Sequence, residues 1–161
     1  MKKRMVLLIL TLVLGMVIAA CSGDKSANIE AKLSAKEMID QMMEKVEQPS
    51  LMELQPDEVK SLYNIEPEKL EDFSIRIPMM NVKTNEIAIL KVKDAKDVAD
   101  VELAVKERAE SVQKQFEHYL PDQYENAKNY KLITKGNYVL LIISDKPDEL
   151  VEVYESFFKQ K

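Results

Sequence analysis

Hydrophobic positions along this chain change spacing from segment to segment, and each spacing predicts an element. Ser34-Ala35-Lys36-Glu37 has the form of a capping box, with Leu33 and Met38 placed for a hydrophobic staple. Met38, Ile39, Met42 and Val46 then share one helical face until Pro49. Pro56-Asp57-Glu58 opens a second, short helix that turns Val59 and Leu62 inward and ends near Asn64. Pro67 starts another turn. Phe73, Ile75, Ile77 and Met79 alternate with Ser74, Arg76, Pro78 and Met80, the pattern of a strand with one buried face. Pro78 points to an edge or a strand end. The segment Glu86 to Lys93 is apolar on both sides and suits a central strand, joined to the first by a hairpin loop over Asn81 to Asn85.

Asp94-Ala95-Lys96-Asp97 caps the longest predicted helix. Its stripe is Val98, Val101, Val105, Val112, Phe116 and Tyr119, and Pro121 ends it. A further helical turn covers Asp122 to Ala127. Tyr130 to Lys135 and Tyr138 to Ser144 form a hairpin around Gly136-Asn137, the latter strand lying mid-sheet. A last helix from Pro147 carries Leu150, Val151, Tyr154, Phe157 and Phe158. The expected fold is a single α+β domain over 33–161 in the order α-α-β-β-α-β-β-α. Its four-stranded, antiparallel-rich sheet would have helices packed on one face.

The first 21 residues follow a different rule. Lys2, Lys3 and Arg4 precede a 14-residue apolar run from Met5 to Ile18, then Ala19-Ala20-Cys21. A basic start, an apolar core and a small-residue cleavage site read as a signal peptide over 1–20. The run is too short for a retained spanning helix. Ile18-Ala19-Ala20-Cys21 has the pattern of a bacterial lipobox, so Cys21 is expected to carry a diacylglycerol thioether and become the mature N-terminus. That places the domain on the extracytoplasmic face of the cell membrane. Residues 21–32 form the lipidated N-terminus and a polar tether. Ser22 to Asn28 can reach only about 25 Å, at roughly 3.5 Å per residue.

Charge and composition narrow the function. The formal charge of −5 becomes −8 once Lys2, Lys3 and Arg4 are set aside. An acidic body without a basic stripe is repelled by nucleic acid. With Cys21 as the single cysteine, neither an intrachain disulfide nor a cysteine metal cluster can form. The single histidine, His118, rules out HExxH spacing and sits where a helix C-terminus favours a cation. Three glycines leave no GxSxG, Walker or GxGxxG motif. Asp94-Ala95-Lys96-Asp97 lacks the glycine and the later glutamate of a calcium loop. No cofactor, metal or catalytic residue is expected. Met79 and Met80 form a candidate contact patch.

The most notable polar set is Glu86, Lys91, Lys93, Arg108, Tyr119 and Tyr124. Two arrangements suit it. One is a salt-bridged seam, with Glu86 or Asp94 against Arg108 and the tyrosines bonding backbone near the helix end. The other is a cleft for an anionic or peptide ligand, with lysine and arginine supplying charge.

Four blocks carry a resemblance: Glu86 to Asp94; Arg108; Tyr119-Leu120-Pro121-Asp122-Gln123-Tyr124; and Lys135-Gly136-Asn137-Tyr138. In this order, over residues 33–160, the chain resembles an uncharacterised family of bacterial lipoproteins, domain of unknown function four-three-five-eight. The resemblance implies a short lipidated precursor, mainly from Gram-positive bacteria, and no activity or catalytic residue. The expectation is therefore a non-enzymatic module that binds an envelope protein or ligand. The alternative is an envelope hydrolase or solute-binding component with a carboxylate and basic cleft.

Overall fold

A computed structural model describes residues 29–159. The signal segment, Cys21 and the Ser22–Asn28 tether lie outside the described residues. The order is α1 (Ala35–Lys45), β1 (Leu51–Glu53), α2 (Pro56–Tyr63), β2 (Leu70–Pro78), β3 (Glu86–Val92), α3 (Val98–Phe116), α4 (Pro121–Lys128), β4 (Lys131–Lys135), β5 (Tyr138–Ile143) and α5 (Pro147–Ser156). Short 3₁₀ turns, Pro67–Lys69 and Ala95–Asp97, lead into β2 and α3.

The sheet has five strands in the order β1-β2-β3-β5-β4, every neighbouring pair antiparallel. The fifth strand is β1, a segment to which the sequence reading assigns no element. Three residues carry too little alternation to register as a strand, and β1 exists because its backbone pairs with β2 at Leu51↔Pro78 and Glu53↔Arg76. β3 and β5 occupy the middle, as their continuous apolar runs require.

The expectation of helices on one face is overturned. One face of the sheet (Ile75, Ala88, Leu90, Val139, Leu141 and Ile143) packs against α2, α3 and α4. The opposite face (Ile87, Ile89, Tyr138, Leu140 and Ile142) packs against α1 and α5. The physical reason lies in β3 and β5 themselves. Successive side chains point to opposite faces, so a strand apolar at every position must be covered twice.

Local signals position the layers. The Ser34–Glu37 capping box forms in both directions, and Asp72 of β2 accepts from the Ala35 N–H at 2.7 Å, tying the start of α1 to the sheet. Asn64 ends α2 in the left-handed conformation. In α2 it is Tyr63, four residues after Val59, that is buried, while Leu62 faces outward. Asp94 makes no side-chain cap; the chain takes a 3₁₀ turn and α3 starts at Val98. Tyr119 falls beyond the end of α3 and is exposed.

Both edge strands are constrained. β1 is three residues long. Along β4, Lys131 pairs with Asp148 and Lys135 with Glu155, both on α5, while the Thr134 hydroxyl donates to Glu102 of α3 at 2.6 Å.

The two ends of the sheet differ in character. At one end the incoming chain lies against the β4–β5 hairpin. The Glu30 carboxylate meets Lys91 Nζ at 2.9 Å and accepts from the Tyr138 hydroxyl at 3.2 Å. Gly136 holds φ +59° there, and a Cβ on it would come within 3.2 Å of Ile29 Cβ, so a side chain at this position would meet both strain and the incoming chain. At the other end, the starts of β3 and β4 and the finish of β5 meet the loops that precede β1 and follow β2. A polar cleft opens at that end.

Candidate functional site

Three polar arrangements stand out, and only the first was anticipated from the sequence. Glu86 opens β3 with its side chain on the α3 face and is 1% exposed. Arg108 of α3 grips it in bidentate fashion, Nε to Oε1 at 3.0 Å and Nη2 to Oε2 at 2.8 Å. The Tyr63 hydroxyl donates to the same Oε1, and the guanidinium lies over the Tyr63 ring, 5.7 Å from its centroid. The charge of Glu86 is thus satisfied by three donors inside the core, the condition for tolerating a buried carboxylate. This is the seam expected between Glu86 and Arg108; Asp94 pairs instead with Lys96 at 3.4 Å. Burial weakens the Arg108 charge, but hydrogen bonds to Glu86 and its negative charge outweigh this and raise the guanidinium above its ordinary value.

The rest of the polar set does not converge on Glu86. Lys91 points to the opposite face, held by Glu71 at 2.8 Å and Glu30 at 2.9 Å. Their hydrogen bonds raise it above the usual lysine range. β3 ends at Val92, so Lys93 does not extend the strand. It is exposed and gives its backbone N–H to Lys69. Tyr119 rests against Phe116, with ring centroids 6.2 Å apart. Tyr124 packs at the core margin beneath Lys128 Nζ. A single cleft built from all six residues is therefore not formed.

The second arrangement centres on Arg76, which the alternation of β2 assigned to a solvent face. It is 6% exposed, because α1 covers that face. Asp40 of α1 and Glu53 of β1 each meet it at 2.9 Å, and the Ser74 hydroxyl accepts at 3.1 Å. Nothing in the sequence separates this arginine from a solvated one, since its partners come from elements distant in the chain.

The third is the cleft, about 640 Å³ in volume. Its lining mixes five carboxamides, Gln48, Asn85, Gln123, Asn126 and Asn129, with the carboxylates of Glu47, Asp122, Glu125 and Asp145 and the cations of Lys83 and Lys146. Asn85 donates to Gln48 Oε1 at 3.2 Å, and Ser144 donates to the same oxygen at 3.1 Å. Thr84 donates to Gln123 from its N–H, and Asn126 donates to the Thr84 hydroxyl at 3.2 Å. The cleft belongs to loops gathered at one end of the sheet, which hydrophobic periodicity does not register. His118 stays apart, open to solvent and 4.0 Å from Glu117. Among the described residues, no three His, Cys, Asp or Glu side chains gather as a metal-binding group.

The profile of a family described as Domain of unknown function (DUF4358) matches residues 44–144. The chain belongs to this family. The DUF4358 segment begins inside α1 and ends just after β5, narrower than the 33–160 span of the resemblance. It contains the whole sheet, the Glu86–Arg108–Tyr63 cluster and most of the cleft. No curated protein and no solved structure matches the chain.

The buried phenols give the fold a pH signature. Burial, the charge of Glu86 and the hydrogen bond to it push the Tyr63 phenol well above its ordinary value. Burial also raises the Tyr138 and Tyr154 phenols, and the Tyr154 hydroxyl is buried without a partner. These groups keep protons in the folded state that an unfolded chain releases near pH 10. Their contribution is complete below about pH 10 and is lost as pH rises further, and Lys91 acts in the same direction. Urea midpoints should be level between pH 8 and 9.5 and fall steeply towards pH 11; a constant midpoint to pH 11 would contradict the burial of these phenols.

Proposed function

We propose that this DUF4358 protein is a lipid-anchored, non-enzymatic binding module on the extracytoplasmic face of the cell membrane. Cys21 carries the diacylglycerol thioether, and the domain engages an envelope protein or ligand. Two acyl chains anchor stably where one does not. Supporting this reading is the polarity of the fold: the chain enters beside Gly136 and Tyr138, while the cleft opens at the opposite end of the strands. β5 alone spans roughly 20 Å, at about 3.4 Å per residue. With a tether of about 25 Å at most, the anchored end stays near the bilayer and the cleft faces away from it.

The mixed amide, carboxylate and lysine lining of the cleft suits a solute-binding role. Its amides offer both donors and acceptors to a polar ligand. Glu86, the one carboxylate of the anticipated set, is committed to Arg108 and Tyr63.

The anchor is tested by Cys21→Ala in the native host, with cell fractionation and metabolic labelling by an alkynyl fatty acid. The variant should leave the membrane fraction and lose all label. Retained attachment with label present would defeat the assignment of Cys21.

A further inference from the structure

Beside the Glu86–Arg108 pair the fold leaves a smaller pocket of about 130 Å³. Ile77, Pro78, Met80, Val112 and Phe116 give it apolar walls. Arg108 and Lys83 also line it, and its single carboxylate is Glu86. An arginine offers five N–H donors in a fixed fork. Glu86 accepts from Nε and Nη2, and among the described residues no side chain or backbone group accepts from Nη1. The sole buried side-chain nitrogen or oxygen without a partner among the described residues is Tyr154 Oη. Nη1 is therefore not fully buried, and Arg108 is among the residues that line this pocket.

The lining thus holds two cations against one carboxylate that is already satisfied. It is a patch of net positive charge in a body whose formal charge is −8 without the first three cations. Lys83 also lines the larger cleft, where its charge adds to the Gln123 hydrogen bond in lowering the Asp122 carboxyl. Apolar walls beside a net positive lining suit a carboxylate attached to a short apolar group. Size limits the apolar part, because a cavity of about 150 Å³ just takes a benzene ring. Met80 at the mouth is 68% exposed, and its unbranched side chain can close over a ligand.

We infer that this pocket binds a monoanionic carboxylate bearing an apolar group of up to about six carbons, held by the Nη1 edge of Arg108 and by Lys83. This deepens the binding role proposed above and is independent of the lipid anchor. Two sources share the chemistry: a free short-chain acid and the C-terminal residue of a protein.

The test is an NMR titration of the full chain with sodium hexanoate, followed at the Arg108 Nε–H and the methyl groups of Met80 and Val112. Saturable shifts are expected with a Kd on the order of 1 mM or tighter. Hexanamide, lacking the charge, should bind at least about tenfold more weakly, a factor worth about 1.4 kcal/mol. Lys83→Glu should weaken hexanoate by a similar factor; Lys83 is exposed on the β2–β3 loop, so the fold tolerates the change. A second arm compares acetyl-Ala-Leu bearing a free carboxylate with its C-terminal amide. Tighter binding of the free dipeptide than of hexanoate assigns the site to protein C-termini, and the reverse assigns it to free acids. Absence of saturable shifts with both acids, equal binding of hexanoate and hexanamide, or an unchanged Lys83→Glu variant would each overturn the inference. None of these results bears on the Cys21→Ala fractionation, so the two readings fail separately.

Discussion

Arg108→Met is expected to destabilise the folded domain by roughly 3–5 kcal/mol, the usual cost of removing one partner of a buried ion pair. Glu86 is 1% exposed and the Arg108 side chain 11% exposed, so the carboxylate depends on Arg108 and Tyr63 for its donors. The Tyr63 hydroxyl would be left as the remaining donor to the carboxylate. Much of the loss should return in Arg108→Met/Glu86→Gln, because a neutral amide removes the stranded charge and can still accept from Tyr63. Urea denaturation of the two variants measures both steps. A loss below about 1 kcal/mol for Arg108→Met would mean the pair behaves as a surface salt bridge, which the burial of Glu86 argues against.

The second large effect tests the two-sided core. Leu140 and Leu141 are consecutive in β5, both fully buried, and they face opposite layers: Leu140 meets α1 and α5, and Leu141 meets α3 with its neighbours. Leu140→Ala and Leu141→Ala should each cost roughly 2–5 kcal/mol, the transfer term plus the residual cavity. In a sheet covered on one face, one of the two would stand in water and its truncation would be nearly neutral. Similar losses from adjacent residues are thus a signature of this layering, read from two denaturation curves. A loss below about 1 kcal/mol for either variant would contradict burial on both faces.

That pair of leucines also shows what the sequence made legible. The run Tyr138 to Ile143 announces a central strand at once, and β3 does so nearly as clearly. The same apolar continuity that marked them as central also required cover on both faces. Capping at Ser34–Glu37 and the turn at Gly136-Asn137 were readable because they depend on residues within four positions of one another. β1 was not readable, since its stability resides in pairing with β2 rather than in its own three residues. Arg76 was hidden for a similar reason: its burial is created by α1 arriving from 36 residues upstream. Glu86 with Arg108 was legible as a pairing of opposite charges on apolar elements, whereas Tyr63 escaped because α2 is short and Leu62 offered an equally periodic alternative. The carboxamide cleft left no periodic trace, for its residues come from separate loops brought together only by the strand order.

The treatment of the sheet margins has a consequence for life on a surface. On the proposed lipid anchor the domain would diffuse in two dimensions and meet its neighbours often, and an open strand edge is a template for pairing with another chain. Here one margin is too short to template a ladder, and the other carries two lysines clamped to α5 and a threonine tied to α3. Such margins resist recruitment of a second chain. On the proposed lipid anchor, a densely populated membrane patch should therefore hold this protein as separate units rather than as ribbons.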